Sequence, residues 1–183
     1  AADSVIAGSH TASYTYTFAR GYWFQAQSNF TVSGMMAATD GNAAAANATE
    51  QSVAIVDYGT TLPVVPFALP SSLAHGNSYA EYGATANQMI MIPGGFQCIA
   101  GNYYGVIGAA HDAGSSTLYN SYSPGVTVDI AGQPTVLNRL GIQGPMSTYS
   151  GNTLPTNTTW GTTAGNIGRI HLLTGAAGAQ AYS

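Results

Sequence analysis

Catalysis and tight binding need nucleophiles, bases, metal ligands or charged clusters, and this chain of 183 residues holds few of them. Apart from its tyrosines, the ionisable side chains are Asp3, Asp40, Glu50, Asp57, Glu81, Asp112, Asp129, His10, His75, His111, His171, Arg20, Arg139, Arg169 and Cys98; lysine is absent. A hydrolase of the nucleophile-elbow type carries Gly-x-Ser-x-Gly on a strand-to-helix turn, and no such pattern occurs. Locally spaced zinc sites need paired Cys or His ligands, which one cysteine and scattered histidines do not supply. Phosphate loops are missing too. A triad built on one of the histidines, or a carboxylate pair for glycoside hydrolysis drawn from Asp57, Asp129 and the others, would have to be assembled by the fold. Carboxylates on strands ordinarily face solvent or hold an arginine, so no enzyme is expected.

Binding chemistry has more material. Calcium is held in β-sandwich loops by Asp, Asn and backbone carbonyls, which makes Asp40, Asn42 and Asp112 the calcium candidates, with Asx turns as the ordinary alternative; no other cofactor is expected. Asn-x-Thr triplets place candidate glycosylation sites at Asn29, Asn47 and Asn157. Sugar recognition needs aromatic faces beside polar side chains, and Tyr103, Tyr104, Tyr119, Tyr122, Tyr149 and Trp160 provide them. Arg20 stands on the apolar parity of its segment, where an unpaired guanidinium is prohibitive. It must therefore lie at a strand end or meet a carboxylate. Arg20, Arg139 and Arg169 are read as structural, tying strands through carboxylates or backbone carbonyls. Cys98 has no partner for an intrachain disulfide and reads as a buried structural thiol.

Composition limits the partners. Hydrophobic residues make up 45% of the chain and charged ones 5%, against ~25% charged in an average globular protein. The surface must be built from Thr, Ser, Asn, Gln, Gly and Ala. Without clustered cations, nucleic acid and anionic membrane surfaces are poor partners, and no apolar run reaches the ~20 residues of a membrane span. A net charge of -4 repels other copies weakly. The start Ala1-Ala2-Asp3 fits the mature end left by signal-peptide removal, which predicts a secreted, extracellular or cell-surface protein.

Strands must position all of these groups. From Tyr14 to Gly34 the apolar residues Tyr14, Tyr16, Phe18, Tyr22, Phe24, Phe30 and Val32 fall on even positions, a period of two. The run is too long for one strand, so breaks are predicted at Arg20-Gly21 and around Gln27-Ser28-Asn29. Residues 35–50 read as a loop with at most a turn of helix, and Gln51–Tyr58 as a strand buried on both faces. Pro63, Pro66 and Pro70 mark an edge or crossing segment. Further strands are predicted at 89–92, ended by Pro93-Gly94-Gly95, and at 103–110, 117–122, 126–130, 136–142 and 167–173. Gly132-Gln133-Pro134 is read as a turn and 143–163 as a long loop. The pattern gives an all-β, antiparallel β-sandwich, jelly-roll-like, of eight or nine short strands with long loops. Residues 1–13 form an arm or donor strand, 14–175 one domain and 176–183 a small-residue tail.

The segments RGYWFQAQSNFTVSGM, YYGVIGAAHDAGSSTLYNSYS and IAGQPTVLNRLGIQG resemble a loosely defined group of secreted bacterial β-sandwich proteins. The resemblance implies fold and compartment and carries no active site. Two functional classes follow from the residues. The first is an extracellular structural protein that assembles with its own copies into a filament, tube or surface layer by β-strand addition, since lysine, which usually blocks edges, is missing. The second is a secreted glycan-binding domain with polysaccharide as partner.

Overall fold

Fifteen strands and one helical turn account for the described residues, 3–5, 7–62, 64–70, 77–154 and 158–176 of a computed structural model. All strand pairs are antiparallel. Numbered in chain order, β1 (Asp3–Val5), β15 (Ile170–Ala176), β4 (Phe30–Ala37) and β8 (Ile90–Cys98) lie side by side in a four-stranded sheet. The larger sheet runs β14 (Asn166–Gly168), β10 (Leu118–Pro124), β9 (Tyr103–His111), β3 (Ala19–Gln25), β12 (Gln133–Ile142), β13 (Thr158–Thr162), β6 (Phe67–Pro70). Four strands branch from this path: β2 (Ala12–Tyr16) pairs with β10, β5 (Glu50–Gly59) with β9, β7 (Ser78–Thr85) with β5, and β11 (Val126–Ile130) with β12.

The two sheets pack face to face over one apolar layer. Tyr22 and Phe24 of β3, Val53 and Ile55 of β5, and Tyr104 and Val106 of β9 meet Phe30, Val32 and Met35 of β4 and Ile170 and Leu172 of β15. Aromatic rings fill its centre, with Phe24 5.8 Å from Tyr104 and Phe96 6.0 Å from Tyr104. Each such ring, fully buried, contributes roughly 1.5–3 kcal/mol. Two tyrosine hydroxyls in this layer are matched: Tyr22 donates to the Ile170 carbonyl at 2.8 Å, and Tyr104 accepts from the Ile99 amide at 2.7 Å.

A second layer covers the other face of the large sheet. Trp23, Ala54, Ile107, Leu140 and Ile142 pack there under Phe67 and Met146, supplied by β6 and by the segment after β12. Covered on both sides, β5 is buried from Gln51 to Asp57, as its β-branched run predicts. The helical turn α1 (Ala43–Ala46) is capped by Asn42 and packs Ala45 against Ala110.

Several boundaries differ from the sequence expectation. The described residues form fifteen strands, because β1, β6, β7 and β13 are too short, too proline-rich or too poor in large apolar residues to register as periodic runs, and the strand expected at 167–173 divides at Arg169 into β14 and β15. The first break falls at Thr17-Phe18, and Arg20-Gly21 lies inside β3, where Gly21 sits against Val106 of β9. Residues 35–37 belong to β4: a bulge at Ser33 moves the buried positions from Phe30 and Val32 to Met35 and Ala37. Pro93-Gly94-Gly95 does not end its strand but bulges out of β8, which resumes at Phe96. Thr158–Thr162, inside the expected loop, is β13. The hairpin turn after Ile130 is made by Ala131 and Gly132, both at positive φ, one residue earlier than predicted. Around the expected arm, residues 3–5 pair with β15 and 12–16 with β10 of the same chain.

Candidate binding groove, sheet edges and buried polar networks

A cleft of about 390 Å³ opens on the outer face of the large sheet, lined by Trp23, Gln25, Gln27, Tyr103, Pro134, Val136 and Asn138. Strand register builds it. Trp23 and Gln25 are two apart on β3, Gln25 stands opposite Tyr103 on β9, and Trp23 stands opposite Asn138 on β12. Trp23 and Tyr103 have ring centres 6.3 Å apart. Gln25 donates to the Gly101 carbonyl at 3.1 Å and Asn138 to the Trp23 carbonyl at 3.4 Å, which orients their amides. The indole N–H of Trp23 is buried and has no partner among the described residues. Rings and neutral amides without a formal charge suit an uncharged, hydroxyl-rich ligand.

Of the six aromatic candidates for sugar contact, only Tyr103 lies in this cleft. Tyr104 is a correction: it is fully buried between the sheets, drawn in by the apolar parity of β9, and the low-dielectric surroundings push its hydroxyl up to about 12. Tyr119 packs on the alanines around α1, and Tyr149 faces Tyr82 at 5.6 Å. Tyr122 and Trp160 do come together, but around the arginines. The Arg20 guanidinium lies 4.7 Å from the Tyr14 ring and 5.1 Å from Trp160; that of Arg139 lies 5.3 Å from Trp160 and 5.9 Å from Tyr122. Tyr14 and Tyr122 stack at 5.4 Å.

Arg20 and Arg169 tie strands, through carbonyls more than through carboxylates. Arg20, near the start of β3, donates to the Ala19 and Ile142 carbonyls at 3.0 and 3.4 Å and to the Tyr14 hydroxyl at 3.1 Å. Arg169 donates through Nε to the Ala7 and Gly8 carbonyls, both at 3.0 Å, and through Nη1 to Asp40 at 2.7 Å and Ser121 at 2.8 Å. That hydrogen bond holds the Asp40 carboxyl below the ordinary carboxylate range. Two calcium candidates are thereby engaged elsewhere, Asp40 by Arg169 and Asn42 by the α1 amides of Ala44 and Ala45. Asp112 accepts from the Thr49 amide at 3.3 Å, and among the described residues no group of three acidic, His or Cys side chains could hold a metal.

Two sequon asparagines are exposed. Asn29 accepts from the Ala100 amide, and its sequon partners Phe30 and Thr31 are buried; Asn47 ends α1 and donates to the Ala43 carbonyl at 3.1 Å. Asn157 lies outside the described residues. Cys98 is buried in the main core, which raises its thiol well above the usual range.

Sequence reasoning named His111 without its neighbours. Pairing of β5 with β9 sets Ser52 Oγ 2.8 Å from His111 Nε2, and His111 Nδ1 lies 3.8 Å from Glu50 Oε1. This has the order of a hydroxyl, base and carboxylate triad, but Ser52 is entirely buried and its oxygen already accepts the Gly83 amide at 3.1 Å. A nucleophile must come within ~3–3.5 Å of a carbonyl, and this one is sealed inside the sheet. Ser52 and His111 share a buried hydrogen bond, while His111 Nδ1 lies 3.2 Å from the Asp112 carbonyl and Glu50 stands partly exposed beside it.

Four strands at sheet edges carry no formal charge among the described residues: β2, sequence ASYTY; β6, FALP; β8, IMIPGGFQC; and β14, NIG. Among the described residues β2 pairs only with β10 and β8 only with β4. Tyr16 is 56% exposed and Met91 56% exposed on them.

By its fold the protein belongs to the class of antiparallel, sandwich-like all-β proteins. Comparison with protein-family models, with curated proteins and with solved structures gives no match. No helix among the described residues is long and apolar enough to cross a membrane.

Proposed function

We propose that this chain is an extracellular, non-catalytic structural protein whose copies associate by adding strand to strand along uncharged sheet edges. One observation carries the reading: β2 is an edge of five residues with no charge, proline, glycine or bulge, and it displays Tyr16 to solvent. Natural proteins normally protect such an edge with at least one of those devices. The other uncharged edges are blunted, β6 by Pro70, β8 by the bulge at Pro93–Gly95 and β14 by its length of three residues, so β2 is the site of first contact. The low charge of the chain removes most of the long-range repulsion between copies.

Sedimentation velocity with Ser13→Lys/Thr15→Lys tests this, since both residues are exposed on β2. Wild type associates with rising concentration, and the double variant stays monomeric at the same melting temperature. A wild type that remains a single monomeric species, or a variant that assembles undiminished, overturns the proposal.

A second reading is favoured by the cleft at Trp23 and Tyr103, whose rings and amides fit a neutral polysaccharide. On a glycan array, Tyr103→Ala should lose about tenfold or more of any binding shown by wild type; equal signals would remove the cleft from consideration.

A further inference from the structure

The chain has three arginines, and two of them converge on one indole ring with no described carboxylate side chain bonded to either. Arg20 and Arg139 have their guanidinium carbons 5.1 and 5.3 Å from the Trp160 ring centre. Register enforces this. Arg20 pairs with Gly141, Gly141 pairs with Trp160, and Arg139 is two residues earlier on the same strand and therefore on the same face. A side chain at Gly141 would collide with Trp160, so glycine there lets the indole lie beside Arg20.

Bringing two like charges together is unfavourable. Burying them is worse unless an opposite charge is near. Arg20 is only 6% exposed. Its counter-charge does not come from the described carboxylate side chains. Asp40 pairs with Arg169, Glu50 faces His111, Asp57 accepts from Asn102 and Gly59, Glu81 accepts from the Tyr79 hydroxyl, Asp112 accepts from Thr49, and Asp129 is exposed on β11. Ring faces provide part of the compensation, but they accept no directed hydrogen bond from Nε.

Three polar atoms of this one cluster are buried and unpartnered among the described residues: Arg20 Nε, Arg139 Nε and the Tyr122 hydroxyl. All three can donate. Unmet donors beside two cations are what an oxyanion satisfies. Arg139 and Trp160 are half-buried and form the open side of the cluster. At Gly165 a Cβ would stand 2.7 Å from Arg139 Nη1, so the missing side chain leaves that guanidinium room.

We propose that Arg20, Arg139 and the Tyr122 hydroxyl form a binding site for an oxyanion group, a carboxylate or sulfate, with Trp160 and Tyr14 as its aromatic walls. The site takes the Tyr14 ring from β2 but not the unpaired backbone of that edge, and it shares no residue with the Trp23 cleft. It holds whether or not those readings stand.

Trp160 makes the test direct. Indole fluorescence and calorimetry are followed while sodium sulfate or sodium glucuronate is titrated into the full chain at constant ionic strength, balanced with sodium chloride. Wild type should saturate below about 10 mM, and Arg139→Gln should weaken both ligands by about tenfold or more. If Arg139→Gln does not fold, Tyr122→Phe, which removes one donor and keeps the ring, should weaken them about threefold to tenfold. A uronate polymer that binds more tightly than glucuronate assigns the group to an acidic polysaccharide; equal or weaker binding assigns it to a free small anion. The absence of saturable binding to either small ligand overturns the site, as does unchanged affinity in a folded Arg139→Gln.

Discussion

Arg169 shows how one side chain organises a charge-poor protein. Its guanidinium holds two backbone carbonyls of the N-terminal segment, a hydroxyl on β10 and the Asp40 carboxylate. Hydrogen bonds to a buried cation are worth more than neutral ones, and removing the cation leaves several acceptors unmatched. Arg169→Met is expected to destabilise by about 2–4 kcal/mol, read as a fall in the urea midpoint; an unchanged midpoint would show that the N-terminal segment is held by other means. The pair with Asp40 also has a pH signature. Because the folded carboxyl titrates below its unfolded counterpart, its stabilisation is complete above the unfolded value, ~3.9, and drains away as pH falls through the folded one. His171, lowered mainly by burial and then by Arg169, adds loss of stability as pH falls below its unfolded value. Asp40 is 64% exposed, so the Asp40→Asn effect is modest: a small deficit at pH 6 that closes as pH falls through the folded value.

Among the elements, the β11–β12 hairpin is the most open to improvement. Its two turn residues, Ala131 and Gly132, have φ of 51° and 83°, the geometry of a two-residue primed turn. Glycine accepts this conformation, but alanine pays roughly 1 kcal/mol for it. Ala131→Asn should therefore stabilise by about 0.5–1 kcal/mol, raising the urea midpoint with an unchanged m-value; a lower midpoint would mean that Ala131 is valued for its contact with the main core. Bulges matter at this scale too. The extra residue Ser33 in β4 and the Pro93–Gly95 excursion in β8 lie on paired strands of the small sheet. The first shifts the buried parity of β4 from Phe30 and Val32 to Met35 and Ala37, while the second leaves Ile90, Ile92, Phe96 and Cys98 of β8 on one parity.

Over the whole molecule, stability rests on buried apolar and tyrosine side chains more than on ion pairs. Burial raises the hydroxyls of Tyr22, Tyr58, Tyr79, Tyr82 and Tyr104 above the ordinary value, with Glu81 also acting on Tyr79. A neutral phenol favoured in the fold contributes its full stabilisation below pH ~10, where unfolded tyrosine begins to ionise, and loses it above. Unfolding above pH ~10 should therefore be cooperative, with phenolate absorbance at 295 nm rising together with the loss of circular dichroism. A broad, independent titration in a chain that keeps its dichroism would contradict this account. The β2 edge and the arginine cluster also belong to this scale, since each depends on which strands the fold leaves at its margins. Composition and period two by themselves determined the all-β antiparallel class, because alternation of apolar side chains forces a half-buried sheet wherever it occurs. The same local signal placed β5 inside two layers and Tyr22 and Phe24 in the core. Arg20 was legible as an anomaly on the apolar parity, but not its surroundings. Tyr104, Tyr122 and Trp160 looked alike in the sequence and have three different roles: core, arginine stack with a buried hydroxyl, and half-buried wall. Tertiary structure alone decided these, and the meeting of Ser52 with His111, because they depend on register between strands far apart in the chain. A shift of one residue in such pairing turns every side chain to the opposite face, and nothing local in the sequence records it.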